Sequence, residues 1–491
     1  MRKRFEQQLS LGIVPISEVN ISLKSRHELP PILASLQHIF MDPALNSAVL
    51  DLLERRICGD KENTGRPGMD LWQILVFGVV RLGTDSNWDA LHHFANHDTA
   101  LRGILGVGTT GFGAEEKEFA YQTLIDNVSL LDEDTIKEIS ALVVAEGHRI
   151  LKKKRDQGLA IKVDTFVLEA NIHWPTDTGL VWDAARKCLD CIQLLAFKFG
   201  LPGWRKTQLW RKKLKSATRE VSQAWGSKGA GKDARVATTA AAFLRLACDL
   251  EDKLSEQLPL IETLLKQYKV PEKYRKILYY HWFLVRQTDL VSRRLIYGQT
   301  IPQCEKIFSV FEPVVEWISK GKAGKMVECG HNILIVTDEF HFIIDHQVVE
   351  RTADVNLVLP MIDRLRETYG EIRSASFDKG FYSKENKQEL KELVPMLVMP
   401  KKGKLNEAER EEEGTKRFKS LRNRHSAVES NINQLEHNGL NRCPDKGFNA
   451  FKRYAAFGVL SYNLHKLGKV IQEAERKRQE ELLKKVRQKA A

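Results

Sequence analysis

The chain has 491 residues, of which 43% are hydrophobic and 29% charged, so it is too long for one hydrophobic core and too polar for a membrane-embedded protein. Its 76 Lys and Arg outnumber 64 Asp and Glu, and the net charge of +12 indicates a polyanionic partner, nucleic acid before membrane. The seven cysteines are scattered, which predicts reduced thiols in a cytoplasmic protein. The first segment lacks the apolar stretch of a signal peptide and the chain lacks a long apolar run, so no membrane contact is predicted.

Residues 1–155 are predicted to form a helical N-terminal domain. Apolar residues recur at three- and four-residue spacing in "DLWQILVFGVVRLG" and again in "IKEISALVVAEGHRI". This spacing is typical of a small helical bundle. Helical DNA-binding or dimerisation domains have the same pattern, so both interpretations stay open.

The pattern changes at "LAIKVDTFVLEA", residues 159–170, which predicts a short β-strand. Residues 176–305 are again helical in pattern. Strands are then expected within residues 306–318, 330–338 and 341–350. A helix over 355–369, a strand ending at residue 378, a helix over 384–393, a strand over 394–400 and a closing helix follow. Strands interleaved with helices predict an α/β fold with a mixed sheet.

Three acids occupy notable places in this order of elements. Asp164 lies within the first strand, Asp378 directly follows a later strand and precedes a Lys-Gly turn, and Glu429 lies on the closing helix. Carboxylate oxygens are the ligands that Mg²⁺ prefers, and one carboxylate alone holds a divalent ion poorly. Glu436 is the alternative third acid, because a residue seven positions after Glu429 lies on nearly the same helix face.

The segments "VDTFVLEANIHWPTD", "SFDKGFYS" and "RHSAVESNINQLEHNGLNRCPDKG" resemble those of DDE transposases of bacterial insertion sequences. The segment "GRPGMDLWQILVFGVVRLG" extends the resemblance more loosely. The resemblance implies an RNase H-like catalytic core formed by residues 156–175 and 306–465. A helical insertion over 176–305 interrupts this core, and residues 466–491 form a basic C-terminal tail.

The same resemblance implies the chemistry. Two Mg²⁺ ions, for which Mn²⁺ substitutes, would be held by the three carboxylates, with Asp164 bridging both ions, Asp378 on one and Glu429 on the other. The reaction would be cleavage at transposon ends and transfer of the 3′-hydroxyl into target DNA. Double-stranded DNA with terminal repeats would be the partner, the protein would act as a homodimer or higher multimer, and it would associate with the nucleoid.

Phosphate contacts are expected beside the acids. The family often has Arg four residues before the catalytic Glu and Lys seven after it, and this chain departs from that pattern with His425 and Glu436. The candidate phosphate-contacting residues around the acids are therefore Lys379, Arg422, Arg424 and His425. A solvated lysine and a surface histidine are the alternatives for Lys379 and His425.

The predicted insertion carries a second basic segment. Residues 205–235 contain ten Lys or Arg against two acids, interleaved with tryptophans. Cations neutralise phosphates and an indole can stack on a base, so DNA contact is expected. The candidates are Lys206, Arg211, Lys212 and Lys213. A solvated helix face with core tryptophans is the alternative.

Two rival functions stay open from the sequence. A metal-dependent DNA nuclease or domesticated recombinase would cut without strand transfer. A DNA-binding protein that had lost its chemistry would need only the basic surfaces, and its binding would survive chelation of metal ions.

Overall fold

The structure is a computed structural model that describes residues 2, 4–5, 13–59, 68–108, 117–153, 158–319 and 326–490. The chain forms two compact units. The first comprises Met1–Asn171 and Lys320–Ala491, and the second comprises Ile172–Ser319. The predicted domain boundary at residue 155, and residues 65–67 of the quoted N-terminal segment, lie outside the described residues.

The helices and strands follow one another along the chain in three blocks. The first block holds α1 (Leu29–Met41), α2 (Pro43–Ile57), α3 (Leu71–Gly83), α4 (Trp88–His97), α5 (Thr99–Ile104), α6 (Tyr121–Val128), α7 (Glu133–Ile150) and β1 (Leu159–Ala170). The second block, which lies in the second unit, holds α8 (Asp177–Phe199), α9 (Thr207–Gly226), α10 (Lys232–Ser255), α11 (Leu258–Gln267), α12 (Glu272–Arg275), α13 (Ile277–Leu295) and β2 (Glu316–Ser319). The last block holds β3 (Val327–Thr337), β4 (Ile343–Val348), α14 (Val358–Tyr369), β5 (Ile372–Phe377), α15 (Lys384–Leu393), β6 (Met396–Val398), α16 (Glu407–Gly414), α17 (Lys416–His425), α18 (Ala427–Leu435), β7 (Arg442–Cys443) and α19 (Phe448–Ala490).

Six strands of the first unit form one mixed sheet, which confirms the predicted α/β class. The strand order is β3-β1-β5-β6, with β4 paired to β3 and β7 paired to β1. The β1–β5 and β5–β6 pairs are parallel, whereas β1 and β4 run antiparallel to β3. In β1 the side chains of Leu159, Ile161 and Val163 are buried, and the alternate residues face the other side of the sheet. Two of the later helices pack on this sheet: α17 contacts β5 and β6, and α18 contacts β1.

The N-terminal helices share a core with the last helix. Within the first unit, α1, α3 and α7 all contact α19. These helices approach closely: a Cβ atom added at Gly78 of α3 would overlap the ring of Phe457, and one at Gly468 would overlap the carbonyl of Pro31. The predicted N-terminal domain therefore belongs to the same compact unit as the sheet, and residues 466–491 continue α19.

The second unit is helical and contains the whole predicted insertion of residues 176–305. Its core includes Cys188 and Cys191 of α8, together with Trp204. The strand expected over residues 306–318 is wrong except at its end, where β2 begins at residue 316. Val310 packs into the helical core instead, and Pro313 has no backbone N–H to donate to a sheet.

Candidate active site

Asp164 and Asp378 are brought side by side by two neighbouring parallel strands. Val163 of β1 is paired with Phe377 of β5, so Asp164 and Asp378, one residue further on each strand, are the next positions in the same register. Asp378 directly follows β5 and precedes a short 3₁₀ helix, Lys379–Phe381. The Oδ1 atom of Asp164 accepts a hydrogen bond of 2.7 Å from the backbone N–H of Thr165. Two acids that are 214 positions apart in the chain thereby become neighbours.

Glu429 reaches the same region on α18, which packs against β1. Val428, Asn431 and Leu435 are buried at helical spacing and form the inner face of α18. The hydroxyl of Tyr462 in α19 lies 3.1 Å from Oδ1 of Asn431 and ties α18 to the core. Glu429 is exposed at the edge of that inner face. The helix is therefore held in place by its neighbours while the carboxylate stays open to solvent.

The charges of these acids act on one another. The pKa of Asp164 is raised from its ordinary value of 3.8 to about 6, first by burial and then by the negative charges of Asp378, Glu429 and Asp354. Like charges that share a site raise the pKa of the more buried group in this way. The presence of Glu429 among these carboxylates favours Glu429 over Glu436 as the third acid. We refer to Asp164, Asp354, Asp378 and Glu429 as the carboxylate cluster.

Asp354 is the member of the cluster that the sequence analysis missed. It begins the 3₁₀ turn Asp354–Leu357 before α14, and this turn contacts the 3₁₀ helix that follows Asp378. A Cβ atom added at Gly380 would lie 3.1 Å from Oδ2 of Asp354, so the two turns approach closely there. The sequence does carry a signal for Asp354, because this residue, like Asp378, is an acid between a strand and a helix.

His425 lies beside the cluster and is tied to the sheet. Its Nδ1 atom is 2.9 Å from the hydroxyl of Ser376, two residues before Asp378. Its Nε2 atom is buried and has no hydrogen-bond partner among the described residues. Burial lowers the pKa of His425, and the charges of Asp378 and Glu429 oppose that effect. His425 is thus partly buried rather than the surface histidine of the alternative interpretation.

The other basic candidates fall into two groups. Lys379, Arg422 and Arg424 are exposed around the cluster in the first unit. Lys206, Arg211, Lys212 and Lys213 belong to the second unit, at or near the start of α9. Among these four, Arg211 forms an ion pair of 2.8 Å with Asp190, whereas Lys206, Lys212 and Lys213 are exposed.

The tryptophans of the basic segment differ in exposure. Trp204 is buried and donates its indole N–H to Gln257 at 2.7 Å, as the core interpretation expects. Trp225 is 48% exposed at the end of α9, and the ammonium of Lys232 lies 5.5 Å from its ring centre. Trp225 is therefore open to stacking from solvent, whereas Trp204 is not.

The donor chemistry of the cluster suits a hard divalent cation. Four carboxylates supply only oxygen atoms, the ligands that Mg²⁺ prefers. Burial is the first cause of the raised pKa of Asp164, and the neighbouring negative charges that add to it are ones a cation would neutralise. Within the described part of the chain, no three Asp, Glu, His or Cys side chains stand close enough together to hold a metal ion as they lie. The cluster therefore suits such an ion in donor type and charge, whereas its side chains as they lie are too far apart to hold one.

The chain matches no protein-family model, no curated protein and no solved structure. The resemblance to DDE transposases stays a prediction. No helix in the described ranges has the length and apolar character needed to span a membrane.

Proposed function

We propose that the chain is a DDE transposase that cuts DNA at transposon ends and joins the freed 3′-hydroxyl to target DNA. The observation that carries the proposal is the meeting of Asp164, Asp378 and Glu429. Asp164 lies on β1, Asp378 directly follows β5 and Glu429 lies on α18. Burial first, and then the charges of Asp378 and Glu429, raise the pKa of Asp164. The RNase H-like core that the sequence motifs imply is supported by the mixed sheet with β1 at its centre.

Divalent ions bound at such a cluster supply Lewis acidity that stabilises the attacking and leaving oxygens of an in-line displacement. Asp164 would lie at the centre of the three acids, because it adjoins Asp378 on the neighbouring strand and the charge of Glu429 acts on it. Asp378 and Glu429 would hold the ions from the two sides. Asp354 adds a fourth carboxylate that the three-acid motif does not contain.

The basic residues near the cluster have separate tasks in this proposal. Lys379 and the exposed guanidinium groups of Arg422 and Arg424 would bind backbone phosphates and position the strand. His425 is held in orientation by Ser376, and its Nε2 atom has no hydrogen-bond partner in the described part of the chain. That nitrogen would donate to a phosphate oxygen or to the leaving group.

A cleavage assay tests the proposal. Full-length protein is incubated with DNA that carries the sequences flanking its coding region, in Mg²⁺ or Mn²⁺. We expect nicking at the repeat ends that is lost in Asp164→Asn, Asp378→Asn and Glu429→Gln. Glu436→Gln is the matched control and should retain nicking.

The products separate the rival functions. Joined products identify a transposase, and metal-dependent cuts without joining identify a nuclease. Binding of the ends without cutting under either metal would refute catalysis and leave a DNA-binding protein.

A further inference from the structure

A cavity of about 620 Å³ lies between the sheet and α17 in the first unit. Its floor is formed by the start of β1, with Lys162, and by the neighbouring parallel strand β5, with Ser374 and Ser376. Arg417 and Arg424 of α17 form the opposite wall. The volume is within the range of small-molecule sites, about 300–1,000 Å³. We call this space the basic cavity.

The basic cavity is lined by more cations than carboxylates. Lys162, Arg373, Arg417 and Arg424 line it together with one carboxylate, Glu339. Glu339 already accepts the backbone N–H of Ala160 at 3.1 Å and lies 3.5 Å from Arg373. One carboxylate cannot neutralise four cations, so the lining has an excess of positive charge.

The donors of these cations remain available. The Nε atom of Arg373 is buried without a hydrogen-bond partner among the described residues. Lys162 donates one hydrogen bond, at 3.3 Å, to the backbone carbonyl of Asp338, which leaves two of its three ammonium hydrogens. Burying a donor without a hydrogen-bond partner costs free energy, and so does holding like charges close together. A bound anion reduces both of these costs.

We propose that the basic cavity binds the phosphate group of a nucleotide. Guanidinium groups match phosphate oxygens in paired hydrogen bonds, and the hydroxyl of Ser374 adds a neutral donor. Ala375, Met396 and Leu421 also line the cavity and offer an apolar surface to a sugar or base. The phosphate comes from one of two sources, a free nucleotide or the terminal nucleotide of a DNA strand.

The basic cavity adjoins the carboxylate cluster along the same face of the sheet. Lys162 and Asp164 are alternate residues of β1, and Ser376 and Asp378 occupy the equivalent positions on β5. Alternate residues of a strand point to one face and lie about 6.6 Å apart. Phosphate binding in the cavity stands independently of cleavage at the cluster, since the cavity contains none of the four clustered acids.

Calorimetric titration of the full chain tests this assignment, with EDTA present to exclude metal binding at the cluster. The probes are deoxyadenosine 5′-monophosphate and one single-stranded oligonucleotide prepared with and without a 5′ phosphate. We expect Arg417→Ala and Arg373→Met each to weaken binding of the phosphate probe about tenfold or more, as loss of a charged hydrogen bond does. Lys419→Ala removes an exposed cation from the same helix outside the cavity and should change affinity less than about twofold.

The outcomes are distinct. Binding of the mononucleotide identifies a free nucleotide as the source, and binding of the oligonucleotide only when it carries the 5′ phosphate identifies a strand end. No binding of any phosphate probe at millimolar concentration overturns the proposal, as does equal weakening by Arg417→Ala and Lys419→Ala. Arg417 is exposed, so its variant keeps the test valid if Arg373→Met fails to fold. Phosphate binding by a wild-type protein that never cuts DNA under either metal refutes the catalytic proposal alone.

Discussion

Replacing Asp164 with Asn is expected to stabilise the metal-free protein at neutral pH. Burial and the neighbouring carboxylates raise the pKa of Asp164 from 3.8 to about 6, so the folded state binds its proton more tightly than the unfolded state. The free energy of unfolding of the wild type therefore falls as the pH rises from about 4 to about 6. Each unit of pKa difference corresponds to about 1.4 kcal/mol, which makes the full loss about 3 kcal/mol. Asn has nearly the same shape and no charge, so the variant avoids this loss.

Urea-induced unfolding in EDTA measures the effect. Between about pH 4.5 and about pH 7.5, the stability of Asp164→Asn relative to the wild type should increase by about 2 kcal/mol. Only the transition of the first unit should respond, because Asp164 belongs to that unit. Asp363→Asn, at an exposed position of α14, is the control and should show the same difference at both pH values. A pH-independent effect of Asp164→Asn would refute the reasoning that burial and like charges act on this carboxylate.

Three further predictions concern the same unit. Mg²⁺ at about pH 7.5 should raise the melting temperature of the wild type but not of Asp164→Asn, and an equal rise in both would contradict binding at the carboxylate cluster. Ser376→Ala removes the hydrogen-bond partner of Nδ1 in the partly buried His425. This variant should lower the free energy of unfolding, measured by urea titration, by about 1–2 kcal/mol, and an unchanged free energy would show that water replaces the hydroxyl. Gly78→Ala should cost about 1–3 kcal/mol, because the added methyl group meets an aromatic ring of α19, whereas Gly414→Ala has open space and should be neutral or slightly stabilising in the same measurement.

Local patterns were sufficient for much of the secondary structure. The helix predicted over residues 384–393 is α15, and the strand predicted to end at Asp378 is β5. In both cases the signal lies in the element and in the residue directly beside it; Ser383 caps α15 by accepting from the backbone N–H of Asn386. The positions of Asp164 within a strand and of Glu429 on a helix follow from the same local signals.

Sequence by itself determined the α/β class, the excess of positive charge and the places of three acids, one within a strand, one directly after a strand and one on a helix. Only the tertiary structure decided which distant residues become neighbours. The pairing of β1 with β5 sets Asp164 beside Asp378, and the contact between two turns adds Asp354. The packing of α17 and α18 on the sheet brings His425 to Ser376 and creates the basic cavity. The physical reason is that periodicity and capping act over a few residues, whereas strand register, burial and the repulsion of like charges arise only after remote segments have packed together.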